Sequence, residues 1–326
     1  MEHKDDTNPM DKQSGHMPGE GAPDTGTVQE TTGTAPGIRT GQETARHSRR
    51  MKRGEVRPGC AWALVTGAGS GIGRCYALRL AALGYRLVIV GNNAAPLEAV
   101  AGEIRRAAGA NASASFPEVR VMPMDLARVG AAQELHDRTA AEGIEIDVVI
   151  NNAGIFSFCD ILTTPAERIE RIILLHDLTV SQLCRLYAAD MVRRGVRGHI
   201  LNMSSYSLWM PFPGLALYSA SKAYMRSFSV AFAKEVRDRG IRVTAVCPAG
   251  VATDLYGLTP RWQRIGKRLG VLITPDNCAR RGLLALWRGR RCIVPDWWNR
   301  AWIPLCKALP MWVLRPIRRF TMRFQK

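Results

Sequence analysis

Ala61-Trp62-Ala63-Leu64-Val65-Thr66-Gly67-Ala68-Gly69-Ser70-Gly71-Ile72-Gly73 is the stretch on which the reading of this chain turns. Ala61–Val65 is an apolar run of strand length, and it leads directly into a glycine-rich turn. Beyond the turn, Ala77, Leu78 and Leu80 supply the apolar positions of a helix. A strand that enters a helix through glycines brings the free N–H groups of the helix N-terminus to the turn, where a phosphate can be held, and lets a pyrophosphate approach the backbone closely. Gly67, Ser70, Gly71, Ile72 and Gly73 are the candidate contacts. A glycine turn alone is also an ordinary tight connection, so its position directly after the first strand is what gives it meaning.

Outward from that turn the pattern repeats. Arg86–Val90, Val119–Met122, Val148–Ile150, His199–Met203 and Arg242–Val246 read as further strands, with helix-length segments between them, and Cys292–Val294 as a seventh. Strands alternating with helices predict an α/β fold: a doubly wound, mainly parallel seven-stranded sheet with helices on both faces, Rossmann-like in kind. One Rossmann-like domain is expected over residues 58–295. Residues 1–57 are rich in Gly, Thr, Pro and charge and nearly devoid of aromatic and branched aliphatic residues, so they are expected to be disordered. Met51 heads a basic run just before the first strand, and translation starting there is one expectation.

The net charge is +17, from 45 Lys and Arg against 28 Asp and Glu, an excess able to attract anionic partners of several kinds. No nucleic-acid motif accompanies it, and no nucleic acid is expected to bind. Eight cysteines show no CxxC pair and no zinc spacing, so no metal is expected and the thiols read as reduced and cytoplasmic. The N-terminus lacks a signal pattern, and no apolar run reaches membrane-spanning length. From Arg280 to Lys326 there are twelve Lys or Arg and one acidic residue, Asp296, among Trp297, Trp298, Trp302, Trp312, Phe320 and Phe324. The extension at 296–326 reads either as a peripheral anchor on an anionic membrane surface or as a tail packed on the domain with a solvated basic face.

Tyr218 and Lys222 stand four residues apart, which puts both on one face of a helix. A tyrosine is a poor acid or base near neutrality, and a neighbouring ammonium stabilises its phenolate. Ser205 lies thirteen residues upstream, just past a predicted strand, where its hydroxyl can donate to a substrate carbonyl oxygen. At the end of the second strand, where an acidic residue would accept from the ribose 2′-OH of NAD, the text is Gly91-Asn92-Asn93. The missing carboxylate removes a repulsion against the 2′-phosphate, so Asn92 favours NADP over NAD.

The glycine turn, Asn151-Asn152-Ala153-Gly154, Ser205 and Tyr218-Ser219-Ala220-Ser221-Lys222 occur in this order, and together they resemble the short-chain dehydrogenase/reductase family over residues 60 to 255. The resemblance implies an NAD(P)-dependent oxidoreductase with Ser205, Tyr218 and Lys222 as the catalytic set. It implies that Tyr218 and Lys222 also touch cofactor, that Asp125 contacts adenine, and that Asn151, Ala153 and Gly154 border the cofactor. Pro248, Val251 and Thr253, in a segment with Ala249 where the family has Gly, are implied to lie beside the nicotinamide. The family usually carries an Asn in the helix after NNAG; here His176-Asp177-Leu178-Thr179 occupies that region. The resemblance also implies a homodimer or homotetramer. Apolar residues such as Trp209, Leu255 and Tyr256 are the candidate lining for a hydrophobic carbonyl or alcohol substrate. The competing reading is a non-catalytic dinucleotide-binding sensor or scaffold that uses its basic tail on a partner or membrane.

Overall fold

The structure, a computed structural model, describes residues 60–109, 118–210, 212–253, 264 and 272–296. The expected disordered segment, the Met51 start and the basic extension beyond Asp296 lie outside the described residues.

Strand and helix alternate as β1 (Trp62–Thr66), α1 (Gly71–Ala82), β2 (Arg86–Gly91), α2 (Ala94–Gly109), β3 (Val119–Pro123), α3 (Ala131–Ala141), β4 (Ile146–Asn151) and α4 (Ala166–Ile173). A π-helical turn, Leu174–Thr179, joins α4 to α5 (Val180–Arg193). Then come β5 (His199–Met203), α6 (Ala216–Glu235), β6 (Arg242–Val246), β7 (Gly250–Val251), β8 (Leu272–Ile273), α7 (Pro275–Trp287) and β9 (Cys292–Ile293). Seven strands form one sheet in the order β3-β2-β1-β4-β5-β6-β9, with every pairing parallel. The expected seventh strand is therefore β9. The small parallel pair β7–β8 was not expected from the sequence; two-residue strands carry no readable periodicity.

The strands are apolar on both faces because both are covered. Within β1, Ala63 and Val65 point into one layer with Tyr76, Leu80, Leu97, Leu283 and Leu286 from α1, α2 and α7. Trp62 and Leu64 point into the other, with Leu135, Leu183, Tyr187, Met191 and Met225 from α3, α5 and α6. This period of two, read against helices on either side, is what locks the register, since a slip of one residue would exchange the layers. β1 lies between β2 and β4, so connections leave its two sides in opposite directions, and a crevice opens outside the carboxyl ends of these strands.

Candidate active site

That crevice is a cavity of about 700 Å³. Its first wall is the β1–α1 connection. Thr66, the last residue of β1, accepts the N–H groups of Asn152 and Ala153 on its Oγ1, each at 3.0 Å, and Asn152 Nδ2 donates back to Thr66 O (3.1 Å) and Gly67 O (3.2 Å). The two loops are thus stitched together, and they leave no room for side chains. Gly67 has φ +65°, and a Cβ there would fall 2.8 Å from Ala153 Cα; a Cβ on Gly73 would fall 2.0 Å from Gly67 O. No side chain caps α1 at Ser70, and Ser70, Gly71 and Ile72 at its start line the cavity. These features fit a dinucleotide: a backbone cradle that a methyl group would fill, at an uncapped helix N-terminus.

Further along the same wall, Asn92 lines the cavity beside Asn93, whose Oδ1 accepts Ala95 N–H at 3.1 Å. Asp125 accepts Ala127 N–H at 2.9 Å and pairs with Arg171 at 3.0 Å. Partial burial raises its carboxyl, but the Ala127 N–H and the Arg171 guanidinium outweigh it and hold it below the ordinary range. Asp125 is anionic at neutral pH.

The opposite wall is built on α6 and the carboxyl ends of β5 and β6. Tyr218, Lys222 and Ser205 all line the cavity. Lys222 Nζ donates to Met203 O at 3.0 Å and lies 5.6 Å from the Tyr218 ring centroid. Ser204 Oγ donates to Lys222 O (2.6 Å), tying β5 to α6. Ser205 Oγ accepts Ser207 N–H (3.2 Å), and Tyr206 N–H reaches Pro248 O (2.8 Å), which fixes the segment after β6 against the segment after β5. Burial pushes the Lys222 ammonium down to about 8, with Asp177 and then Cys247 pulling it up.

His176 is fully buried in the π turn, and its ring is set by two partners. Nε2 accepts Ile155 N–H at 3.0 Å, so the ring hydrogen sits on Nδ1, which donates to Ser221 Oγ at 2.9 Å. Ser221 Oγ donates in turn to Tyr218 O at 2.9 Å. Burial, then the Lys222 charge, hold His176 well below its ordinary pKa, so it is neutral.

Of the residues singled out in the sequence, Gly67, Ser70, Gly71, Ile72, Asn92, Asp125, Ala153, Gly154, Ser205, Tyr218, Lys222, Pro248, Val251 and Thr253 line this one cavity. Three do not. Gly73 packs beneath the turn, close to Gly67 O. Asn151, last on β4, is buried in the sheet and donates to Asn202 Oδ1 on β5 at 2.8 Å. Strand alternation sends Asn151 into the sheet and brings Asn152 to the crevice, and Asn152 is the residue the sequence reading missed. Trp209 ends a 3-10 turn, Tyr206–Trp209, and packs against a cluster of Tyr206, Cys247 and Val294 rather than lining the cavity. There the Arg226 guanidinium lies 5.6 Å over its ring. Leu255 and Tyr256 lie outside the described residues. Phe156 and Arg171 also line the cavity; Phe156 meets Tyr218 edge-on at 5.1 Å. No local motif marks either one, since they arrive from the loop after β4 and from α4. Among the described residues no cluster of His, Cys, Asp or Glu could hold a metal.

A family model described as short chain dehydrogenase matches residues 61–264. The chain is 36% identical over 210 residues to a very-long-chain 3-oxoacyl-CoA reductase of Anas platyrhynchos, covering 62% of this chain and 64% of that protein. It is 33% identical over 199 residues to 17-beta-hydroxysteroid dehydrogenase type 3 of Mus musculus, covering 60% and 61%. The chain spans less than two thirds of the length of these curated relatives. A short-chain dehydrogenase from Sphingobium yanoikuyae, solved in complex with NADPH, superposes with a TM-score of 0.63 at 28% identity over 77% of this chain and 96% of that one.

Proposed function

The chain belongs to the short-chain dehydrogenase family, and on that premise we propose that it is an NAD(P)-dependent oxidoreductase that interconverts a hydrophobic carbonyl compound and its alcohol through Ser205, Tyr218 and Lys222. The observation that carries this reading is that these three side chains share one cavity with the glycine cradle, Asn92 and Asp125. When bound, the nicotinamide dinucleotide supplies or accepts the hydride. Gly67, Ser70, Gly71 and Ile72 hold its phosphates, Asp125 its adenine end, and Pro248, Val251 and Thr253 its nicotinamide end. Tyr218 gives its phenolic proton to the substrate oxygen in reduction and takes it back in oxidation. The buried Lys222 ammonium stabilises the phenolate left behind, and Ser205 orients the oxygen by donating its hydroxyl hydrogen.

NADP is favoured over NAD because no carboxylate stands among Gly91, Asn92 and Asn93 to repel a 2′-phosphate. The hydrophobic substrate class is supported by Phe156 beside Tyr218 and by the names of the reductase and steroid dehydrogenase relatives. Assembly as a homodimer or homotetramer is supported by the exposed apolar residues Ile173, Leu178 and Tyr224 around α6. No described helix is long and apolar enough to cross a membrane; the composition of 296–326 supports peripheral attachment, to be tested by liposome binding with and without that segment.

The test is fluorescence titration with NADPH and NADH, followed by turnover against a panel of hydrophobic ketones and aldehydes. Binding of NADPH ahead of NADH, with turnover lost in Tyr218→Phe, is the expected result. Cofactor binding without turnover of any carbonyl would favour a dinucleotide sensor instead.

A further inference from the structure

The edge of the sheet brings two thiols together. β6 and β9 run parallel, with Ala245 opposite Cys292 and Val246 opposite Ile293, and Cys247 N–H donates to Ile293 O at 2.8 Å. Alternation puts Cys247, two residues past Ala245, on the same face of the sheet as Cys292. Their Sγ atoms lie 3.8 Å apart, in direct contact. Cys247 is fully buried and Cys292 is partly exposed. Neither thiol takes part in the chemistry proposed above.

Positive charge surrounds the pair. Arg290 and Arg291 directly precede Cys292. Arg226, one turn past Lys222 on α6, lies over Trp209, which packs on the same cluster as Cys247 and Cys292. Cations beside thiols favour the thiolate and draw in an anionic reagent. The hydrogen-bonded Cys292, followed by burial, pushes the Cys247 thiol well up, with Ser204 and Arg226 pulling the other way. Cys292, the partly exposed sulfur, is therefore the one that meets a reagent first. Diagonal neighbours on parallel strands stand roughly 8 Å apart at Cα, beyond what a relaxed disulfide spans, so closing a bond here must draw β9 toward the end of β6. β9 is two residues long and lies at the edge of the sheet, where such a shift disturbs little else. A bridge that needs movement to form is readily reduced again.

We propose that Cys247 and Cys292 form a reversible thiol–disulfide site whose oxidant is a small anionic disulfide of the glutathione type. The Cys292 thiolate attacks one sulfur of the reagent, the reagent's S–S bond breaks, and its first half leaves as a thiolate that takes up the proton Cys292 released. Cys247 then loses its proton and attacks Cys292 Sγ. The mixed bond breaks, and the second half of the reagent leaves and takes up that proton. Two protein thiols are oxidised by two electrons, and one small disulfide is reduced to two thiols. The bridge bears on the cavity from behind. Cys247 directly precedes Pro248, whose carbonyl holds Tyr206 N–H at 2.8 Å next to Ser205, and Pro248 and Val251 line the cavity. That consequence rests on the function proposed above; the bridge itself does not.

The experiment equilibrates the full-length protein in glutathione buffers from fully reduced to fully oxidised, quenches in acid, alkylates the free thiols and maps the tryptic peptides. In the oxidised buffers wild type should yield peptides 243–261 and 292–300 joined, about 2 Da lighter than their sum, and a dithiol reductant should separate them. Cys247→Ala should stop with glutathione held on Cys292, and Cys292→Ser should leave the buried Cys247 unmodified. A wild-type map with Cys247 and Cys292 alkylated separately, or with glutathione left on Cys292 in the most oxidised buffer, overturns the proposal, and neither result needs a variant to fold. NADPH titration then reads the consequence. The bridged protein should bind more weakly than the reduced one and Cys292→Ser should be insensitive to the buffer, whereas equal affinity of the two forms overturns the coupling to the cavity. A protein that binds no dinucleotide in any buffer would sink the oxidoreductase reading and leave the peptide map to judge the bridge on its own.

Discussion

The two walls of the cavity are made of opposite materials. The β1–α1 wall is backbone: glycines that leave no space for a Cβ, an uncapped helix N-terminus, and loops stitched by Thr66 and Asn152. The α6 wall is side chain: a buried lysine, a neutral buried histidine, and hydroxyls. One wall is defined by the atoms it lacks and the other by the charges it has hidden from water. The first should fail when atoms are added and be indifferent to pH; the second should fail when groups are removed or change protonation.

The largest expected effect tests the second wall. Tyr218→Phe should reduce turnover by roughly a hundred- to ten-thousand-fold, the range for losing a positioned acid/base, while NADPH affinity changes little. Steady-state rates together with fluorescence titration check it, and an equal fall in binding would mean that the two walls are not separable. Next comes Gly73→Ala, whose Cβ would need space already held by Gly67 O and the Asn152 amide. A destabilisation of about 3 kcal/mol in urea unfolding is expected, with cofactor affinity lost. A Gly73→Ala protein that binds NADPH as well as wild type would refute the backbone-cradle account.

A smaller effect asks whether the pH sensitivity of the fold also arises outside the cavity. His199, first on β5, is buried against Trp287 with Nδ1 lacking a partner, and burial, followed by the Arg242 charge, lowers it from 6.5 to about 3. Its folded value lies below its unfolded one, so between about 3 and 6.5 the unfolded chain binds a proton that the folded chain refuses. Stability is therefore lost as the pH falls below 6.5, with a limiting slope of about 1.4 kcal/mol per pH unit from this group. His199→Phe should stay within about 1 kcal/mol of wild type at pH 7 and flatten that acid limb in thermal melts at about pH 4 to 7. An unchanged limb would place the sensitivity elsewhere. The smallest effect is the control: Arg193 pairs with Asp190 at 2.8 Å but is 76% exposed. Arg193→Ala should change stability by less than about 0.5 kcal/mol and leave cofactor binding untouched.

The difference between the walls is also a difference in legibility. The backbone wall could be read from the sequence because its requirements are local: glycines at fixed offsets between a strand and a helix, and the strand–helix alternation that orders the sheet. Tyr218 and Lys222 were legible for the same reason, since four residues along a helix is a local distance. The placement of Trp209 was not legible, because packing against Tyr206, Cys247 and Val294 is decided by distant segments, and that of Asn151 was not, because the alternation at the end of β4 turns it into the sheet and puts its neighbour in the crevice.

The amino-acid sequence by itself determined the α/β alternation, the glycine cradle and the Tyr218–Lys222 pairing, because short-range stereochemistry enforces each of them. Only the tertiary structure decided which Asn faces the cavity, that Arg171 and Phe156 join it, and that His176 is a neutral tie between Ile155 and Ser221. Those choices depend on which distant segments share a buried space, and it is burial, a property of the packed whole, that sets the protonation of Lys222, Asp177 and His176.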